Sequence, residues 1–265
     1  MNAAPIGIFD SGLGGLTVAR AIFERLPHES TVYFGDTARV PYGPKSPETV
    51  RRYSLEILQW LLAQGVKAVV IACNTSTAHA LQALRDASPV PVVGVIEPGA
   101  RAAIAGSHGR VGVIGTAGTI ASGAYRRAIE ARAPDFEVFQ QACPLFVPLV
   151  EEGWFDHPAA RLIAAEYLRP LREAAVDALV LGCTHYPLLK PLLQAEMGPD
   201  VRLIDSGEET ARALEEILAR NGITGAAGGA SSHRFVVSDD EARFRSVGAR
   251  FIGERLSGAE VVPLG

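Results

Sequence analysis

Two stretches of the chain end alike: AVVIACNTS at residues 68–76 and ALVLGCTHY at residues 178–186. Each is an apolar run of strand length that stops at a cysteine, Cys73 or Cys183, followed by residues that can hydrogen-bond. Short continuous apolar runs without polar alternation read as strands buried on both faces, the pattern of a parallel sheet covered by helices. The flanking sequence repeats as well. VGVIGT at 111–116 corresponds to IGIFDS at 6–11, and VRLID at 201–205 corresponds to VVGVIE at 92–97, each of this last pair ending in a carboxylate. Matched strand ends in the same order indicate a repeat of whole domains.

Strand-length runs alternate with longer stretches of helical period, the signature of an α/β fold. In the first half the spacing predicts a strand at Ile6–Phe9, a Gly-rich turn, a helix at about Leu16–Arg25 and a strand at Thr31–Phe34. The loop VPYGPKSP (40–47) is too rich in proline for helix or strand, and long loops of this kind often carry function. A helix with Leu55, Leu58, Leu61 and Leu62 on one face follows, then the strand ending at Cys73, a helix at Thr77–Ala87 and a strand at Pro91–Ile96. The second half adds a strand at Phe136–Gln140 and a helix at Ala159–Ala174 with Leu162, Ile163, Leu168 and Leu171 on its apolar side. Beyond Asp205 come a helix at Glu208–Arg220, a flexible Gly/Ala/Ser connection at Gly222–Ser232, a strand at Phe235–Ser238, a helix at Asp240–Ile252 and a short strand at Glu260–Pro263. This last piece is too small to stand alone and must pack on one of the halves. The expectation is an α/β protein of two pseudo-symmetric domains, each a mainly parallel sheet flanked by helices. Residues 1–97 with 207–265 form one and 98–206 the other, with an active site at their interface.

Composition narrows the class. At 265 residues, 48% apolar and 20% charged, the chain can bury a large core. A net charge of −4, with the arginines scattered along predicted helices, argues against a nucleic-acid surface. No apolar stretch approaches the ~20 residues a bilayer requires, and no leader pattern precedes the first strand, so a cytoplasmic location is expected. The three cysteines are too few and too unevenly placed for a disulfide framework, and no Cys-x-x-Cys pair suggests zinc. No metal is expected.

In open parallel sheets, ligands bind outside the carboxyl ends of the strands. Asp10 and Ser11, Cys73 with Asn74 and Thr75, and Cys183 with Thr184 and His185 all fall there. The segment DSGLGG (10–15) lacks the spacing and lysine of a nucleotide loop; its glycines allow a tight turn and close approach of backbone N–H groups to a carboxylate. A lone strand-end cysteine is usually a small buried hydrophobe, and Cys143, before Pro144 and without a matched partner, reads that way. Two matched thiols facing one ligand suit a particular chemistry, in which a proton is removed from one face of a carbon and returned to the other. A thiol titrating near ~8.5 can serve as base or acid close to neutral pH. Asp10 and His185 can assist it. The lysines, Lys45, Lys67 and Lys190, lie away from these strand ends, so pyridoxal phosphate chemistry is disfavoured and no cofactor is expected.

These residues resemble the motifs of bacterial glutamate racemases: GIFDSGLGGLT (7–17), VPYG (40–43), ACNTS (72–76), EEG (151–153) and LGCTHYP (181–187), in order across essentially the whole chain. The resemblance implies cofactor-independent interconversion of L- and D-glutamate, supplying peptidoglycan synthesis. It implies Cys73 and Cys183 as proton donor and acceptor, Cys73 acting on D-glutamate and Cys183 on L-glutamate, with Asp10, Glu152 and His185 assisting. It implies Asp10, Ser11, Tyr42, Gly43, Asn74, Thr75, Thr184 and His185 as substrate contacts. A homodimer is among the assemblies it allows. Aspartate racemases of the same group carry an acidic residue where this chain has His185, which favours glutamate. The chain starts at its first strand, without the extension of members regulated by a peptidoglycan precursor, so that regulation is not expected. Two alternatives stay open: a racemase of aspartate or another amino acid, and a non-catalytic protein that captures an amino acid in its cleft.

Overall fold

The computed structural model describes residues 2–225, 228, 231–256 and 258–264. In chain order the described elements are β1 (Ile6–Asp10), α1 (Leu16–Arg25), β2 (Thr31–Gly35), α2 (Pro47–Ala63), β3 (Ala68–Ile71), α3 (Asn74–Ala87), β4 (Val92–Gly94), α4 (Ile96–Gly106), β5 (Arg110–Gly115), α5 (Ala117–Ala121), α6 (Ala124–Glu130), β6 (Glu137–Ala142), α7 (Phe146–Glu151), α8 (Pro158–Glu173), β7 (Ala178–Gly182), α9 (Lys190–Met197), β8 (Arg202–Asp205), α10 (Ser206–Arg220), β9 (His233–Val237), α11 (Glu241–Ile252) and β10 (Glu260–Val261). They build two sheets, β10-β9-β2-β1-β3-β4 and β6-β5-β7-β8, parallel throughout. Within each, the order β2-β1-β3-β4 is repeated as β6-β5-β7-β8, so the sequence repeat is also a topological one. The first sheet draws strands from both ends of the chain.

Strands β1, β3 and β7 are buried along their whole length, as their unbroken apolar sequences require. Their neighbours in register bring chemistry to one level: Asp10 pairs with Gly35, and Phe9 with Ile71 two residues before Cys73. In the second sheet Gly115 pairs with Gly182, one residue before Cys183. One continuous apolar cluster runs from β1 and α1 through α4 into β5, β7 and α8, so the two halves share a core. At the opposite end of the first sheet the Lys67 ammonium is buried against the Glu29 carboxylate and donates to the Asn2 carbonyl at 2.8 Å. Lys67 is therefore a structural cation.

Three expectations shift, and a fourth is only partly described. Helix α3 starts at Asn74 rather than Thr77, because the Cys73 sulfur caps it by accepting from the Ser76 N–H at 3.4 Å. Strand β4 ends at Gly94, and Glu97 lies in the first turn of α4, paired with Arg85 at the surface instead of standing at a strand end. In α8 the buried stripe is Ala160, Ala164, Leu168 and Leu171, while Leu162 is 74% exposed. The connection expected at Gly222–Ser232 lies partly outside the described residues, at 226, 227, 229 and 230.

Candidate active site

The turn after β1 brings the halves together. A Cβ on Gly14 would lie 2.3 Å from Thr184 Oγ1 and 2.4 Å from His185 Nδ1, so only glycine lets the first half approach the second this closely. Thr17 on α1 seals the contact, its hydroxyl donating to the Thr184 carbonyl at 2.9 Å. The reciprocal contact comes from the other half. Thr75 Oγ1 lies 3.0 Å from Thr116 Oγ1 and 3.3 Å from Thr119 Oγ1, at the start of α5. The Gly118 N–H donates to the Gly43 carbonyl at 3.0 Å, tying the loop at 40–47 to the second half.

Cys73 and Cys183 are each 6% exposed. Burial pushes both thiols above the ordinary thiol range, and the negative charge of Asp10 adds to this at Cys73, while the other thiol and Asp10 add to it at Cys183. Cys73 Sγ lies 3.7 Å from Ser11 Oγ. Asp10 accepts from the Gly12 N–H at 2.9 Å, so the carboxylate that the Gly-rich turn embraces is its own. Burial raises the Asp10 carboxyl above the usual carboxylate range, outweighing the opposing His185 charge and the N–H groups of Gly15, Gly12 and Ser11. On the other side Cys183 Sγ lies 3.9 Å from His185 Nδ1, and His185 Nε2 lies 3.0 Å from Glu151 Oε1. Arg243 on α11 donates to the second oxygen of Glu151 at 3.0 Å, and Arg250 donates to its carbonyl. Burial raises the Glu151 carboxyl, but His185 and Arg243 pull it below the usual range.

The expected Glu152 is displaced by its neighbour. Glu151 is the last residue of α7 and points inward; Glu152 is exposed, about 100° further round the helical screw. Tyr42 is buried with its hydroxyl committed to Asp36, which also accepts from Ser238 at 2.9 Å and Arg39 at 2.7 Å, so this side chain holds the loop in place. Asn74 Oδ1 accepts from Tyr125 at 2.7 Å. Asp36, Thr119 and Tyr125 carry no sequence signal; Thr116 is marked only by matching Ser11 in the repeat, and Glu151 only by lying in the EEG motif whose role the resemblance gives to Glu152.

Among the described residues Asp10 Oδ1, Asn74 Nδ2 and Ser76 Oγ are buried without a hydrogen-bond partner. Buried polar groups are ordinarily satisfied, so an acceptor or donor from a ligand is what this wall calls for. A cavity of ≈ 70 Å³ lined by Gly12, Leu13, Val40, Glu151 and Arg243 lies beside Glu151. Among the described residues no three His, Cys, Asp or Glu side chains gather as metal ligands, and no helix is long and apolar enough to cross a membrane.

The family model described as Asp/Glu/Hydantoin racemase matches residues 10–214. Among curated proteins the chain is 56% identical over 260 residues to a glutamate racemase of Geobacter metallireducens, covering 98% of this chain and 96% of that one. It is 50% identical to one of Neisseria meningitidis, covering 98% and 97%. The crystal structure of glutamate racemase RacE1 from Bacillus anthracis superposes with a TM-score of 0.94 at 41% identity, covering 100% of this chain and 98% of that chain. That of the Francisella tularensis enzyme in complex with D-glutamate superposes at 0.93 with 38% identity, covering 99% and 98%.

Proposed function

The chain belongs to the Asp/Glu/hydantoin racemase family, and from that premise we propose that it interconverts L- and D-glutamate by proton transfer between two thiols. The observation that carries the reading is the placement of Cys73 and Cys183 after equivalent strands of a repeated sheet, beside a wall of unpartnered buried polar atoms. One thiolate takes the α-proton, and the C–H electron pair is left on the α-carbon and delocalised into the α-carboxylate. The opposite thiol then gives its proton to the other face and becomes the thiolate poised for the reverse reaction; before another turnover in the same direction the first thiol must give up its proton and the second regain one. Burial opposes ionisation of both thiols, so formation of the first thiolate needs help. The substrate ammonium supplies an opposite charge, and each thiol has a proton acceptor at hand. In the tautomer whose Nε2 donates to Glu151, His185 presents Nδ1 as an acceptor to Cys183. Asp10 serves Cys73. The backbone and hydroxyls of Ser11, Gly43, Asn74, Thr75 and Thr184 surround the ligand carboxylates, and Tyr42 acts through the loop it anchors.

Substrate reaches thiols this buried by opening of the cleft between the lobes, which we take as 1–97 with 207–265 and 98–206. The reading further holds that no cofactor takes part, that the protein works in the cytoplasm, where thiols stay reduced, as a monomer or homodimer, and that its D-glutamate goes to peptidoglycan. The names of the relatives and the His185 position favour glutamate over aspartate.

The test is α-proton exchange in deuterated water with L-glutamate, D-glutamate and L-aspartate and no added cofactor. Exchange and loss of optical activity with glutamate are expected. Faster exchange with aspartate would move the reading to the alternative substrate, and binding without exchange would make the protein a capture protein.

A further inference from the structure

We infer that Tyr125 is a positioning residue for this reaction: its hydroxyl, supplied by the second half, fixes the amide of Asn74 in the first half so that the amide nitrogen is presented to a substrate carboxylate. The inference rests on the proposed function and extends it to a residue outside the site motifs.

Tyr125 is 1% exposed, and its hydroxyl donates to Asn74 Oδ1 at 2.7 Å. Its ring lies in a slot that glycines make possible. A Cβ on Gly182 would be 3.1 Å from Tyr125 Cε2, and one on Gly99 would be 3.3 Å from its hydroxyl oxygen. Gly182 precedes Cys183, so the slot sets the ring against the residue before the second thiol while its hydroxyl reaches the residue that follows the first. The two ends of an asparagine amide are nearly the same shape and opposite in hydrogen-bonding sense, so only a partner decides which end faces where. A phenol has a single proton. Given to Oδ1, it leaves Nδ2 turned the other way, and Nδ2 is one of the buried atoms with no partner among the described residues. Leaving a buried donor unmade costs free energy, which a ligand carboxylate would recover. Tyr125 sits on α6 and Asn74 on α3, so the hydrogen bond spans the two halves and the donor is set only when they are together.

A double-mutant cycle of Tyr125→Phe and Asn74→Ala tests this, measured as kcat, KM and, by calorimetry, the dissociation constant for glutamate. Tyr125→Phe keeps the ring in its slot, and an unchanged melting temperature confirms the packing. The expected result is a rise of about tenfold in KM and in the dissociation constant with kcat within about threefold, the cost of one hydrogen bond. In the Asn74→Ala background the same change should add less than twofold. Unchanged affinity in Tyr125→Phe, or effects that multiply in the double variant, would overturn the proposal. Should Tyr125→Phe lose its fold, Asn74→Asp provides the second arm: it keeps the oxygen for Tyr125 and replaces only Nδ2, and undiminished glutamate affinity would equally overturn it. Calorimetry reads the cycle without turnover, so wild-type protein that binds glutamate but does not racemise it sinks the proposed reaction and leaves the Tyr125 result legible.

Discussion

The two cysteine ends occupy equivalent places in the repeat and differ in almost everything around them. Cys73 opens a long helix and caps it through sulfur, with Ser11 and the buried Asp10 beside it. Cys183 stands three residues before a short 3-10 turn at Tyr186–Leu189 and meets His185, which meets Glu151, which meets Arg243. In the repeat, Asp10 corresponds to Gly115, and His185 to Thr75. Each half therefore keeps the thiol and gives up the other's helper. The difference teaches that the scaffold supplies equivalent placement, while each thiol has a different titratable neighbour. Equilibrium limits what that asymmetry can do. L- and D-glutamate have equal free energy in water, so kcat/KM must be equal in the two directions. Unequal surroundings can appear only in how kcat and KM divide and in which proton transfer limits the rate.

The strongest way to break the comparison is to remove one thiol at a time. Cys73→Ser and Cys183→Ser should each lower racemization on the order of 10²–10⁴-fold. Each should still exchange the α-proton of the one enantiomer that faces the surviving thiol, without inverting it. Cys143→Ser, which changes a buried thiol with no helper, should stay within a few-fold of wild type. Full racemization in either of the first two would end the two-thiol account.

A finer cut separates adjacent carboxylates. Glu151→Gln should lower kcat by about 10²-fold through His185, whereas Glu152→Gln should leave it within twofold. The α-deuterium isotope effect should grow with the enantiomer that Cys183 deprotonates and shrink with the other, a split that general loosening of α7 would not produce. An equal loss in Glu152→Gln would return the role to that residue.

Much of this was legible because apolar runs, glycines and strand-end polar residues obey local rules. The repeat showed in IGIFDS and VGVIGT, and α1 begins and ends where its pattern does. What was not legible depended on partners distant in sequence. Glu151 and Glu152 are chemically identical, and only the phase of α7 against His185 separates them. Leu162 reads as core by type, yet alanines at 160 and 164 form the contacting stripe because small residues let α8 lie close to its sheet. Sulfur is a weak acceptor, so Cys73 gives no cap signal and the pattern starts α3 too late. Tyr125 and Asp36 become meaningful only once the chain brings Asn74 and Tyr42 against them.

The smallest expected effect concerns stability and sharpens the comparison at Asp10, the carboxylate that has only a glycine as counterpart in the second half. Because burial raises the Asp10 carboxyl in the folded state, its contribution to stability is complete below the unfolded value, ~3.9, and declines as pH rises through the folded value. At neutral pH the raised carboxyl is thus a net cost to the fold, borne beside Cys73. Asp10→Asn should remove that cost. Melting curves should place the variant above wild type at neutral pH, about 2–4 °C for each kcal/mol gained, with the gap closing as the pH is lowered toward ~4. Racemization should fall at the same time. A variant that melts below wild type at neutral pH would mean that Asp10 holds the turn after β1 together more than it strains it, and the case for a carboxylate placed there for chemistry would lose its thermodynamic support.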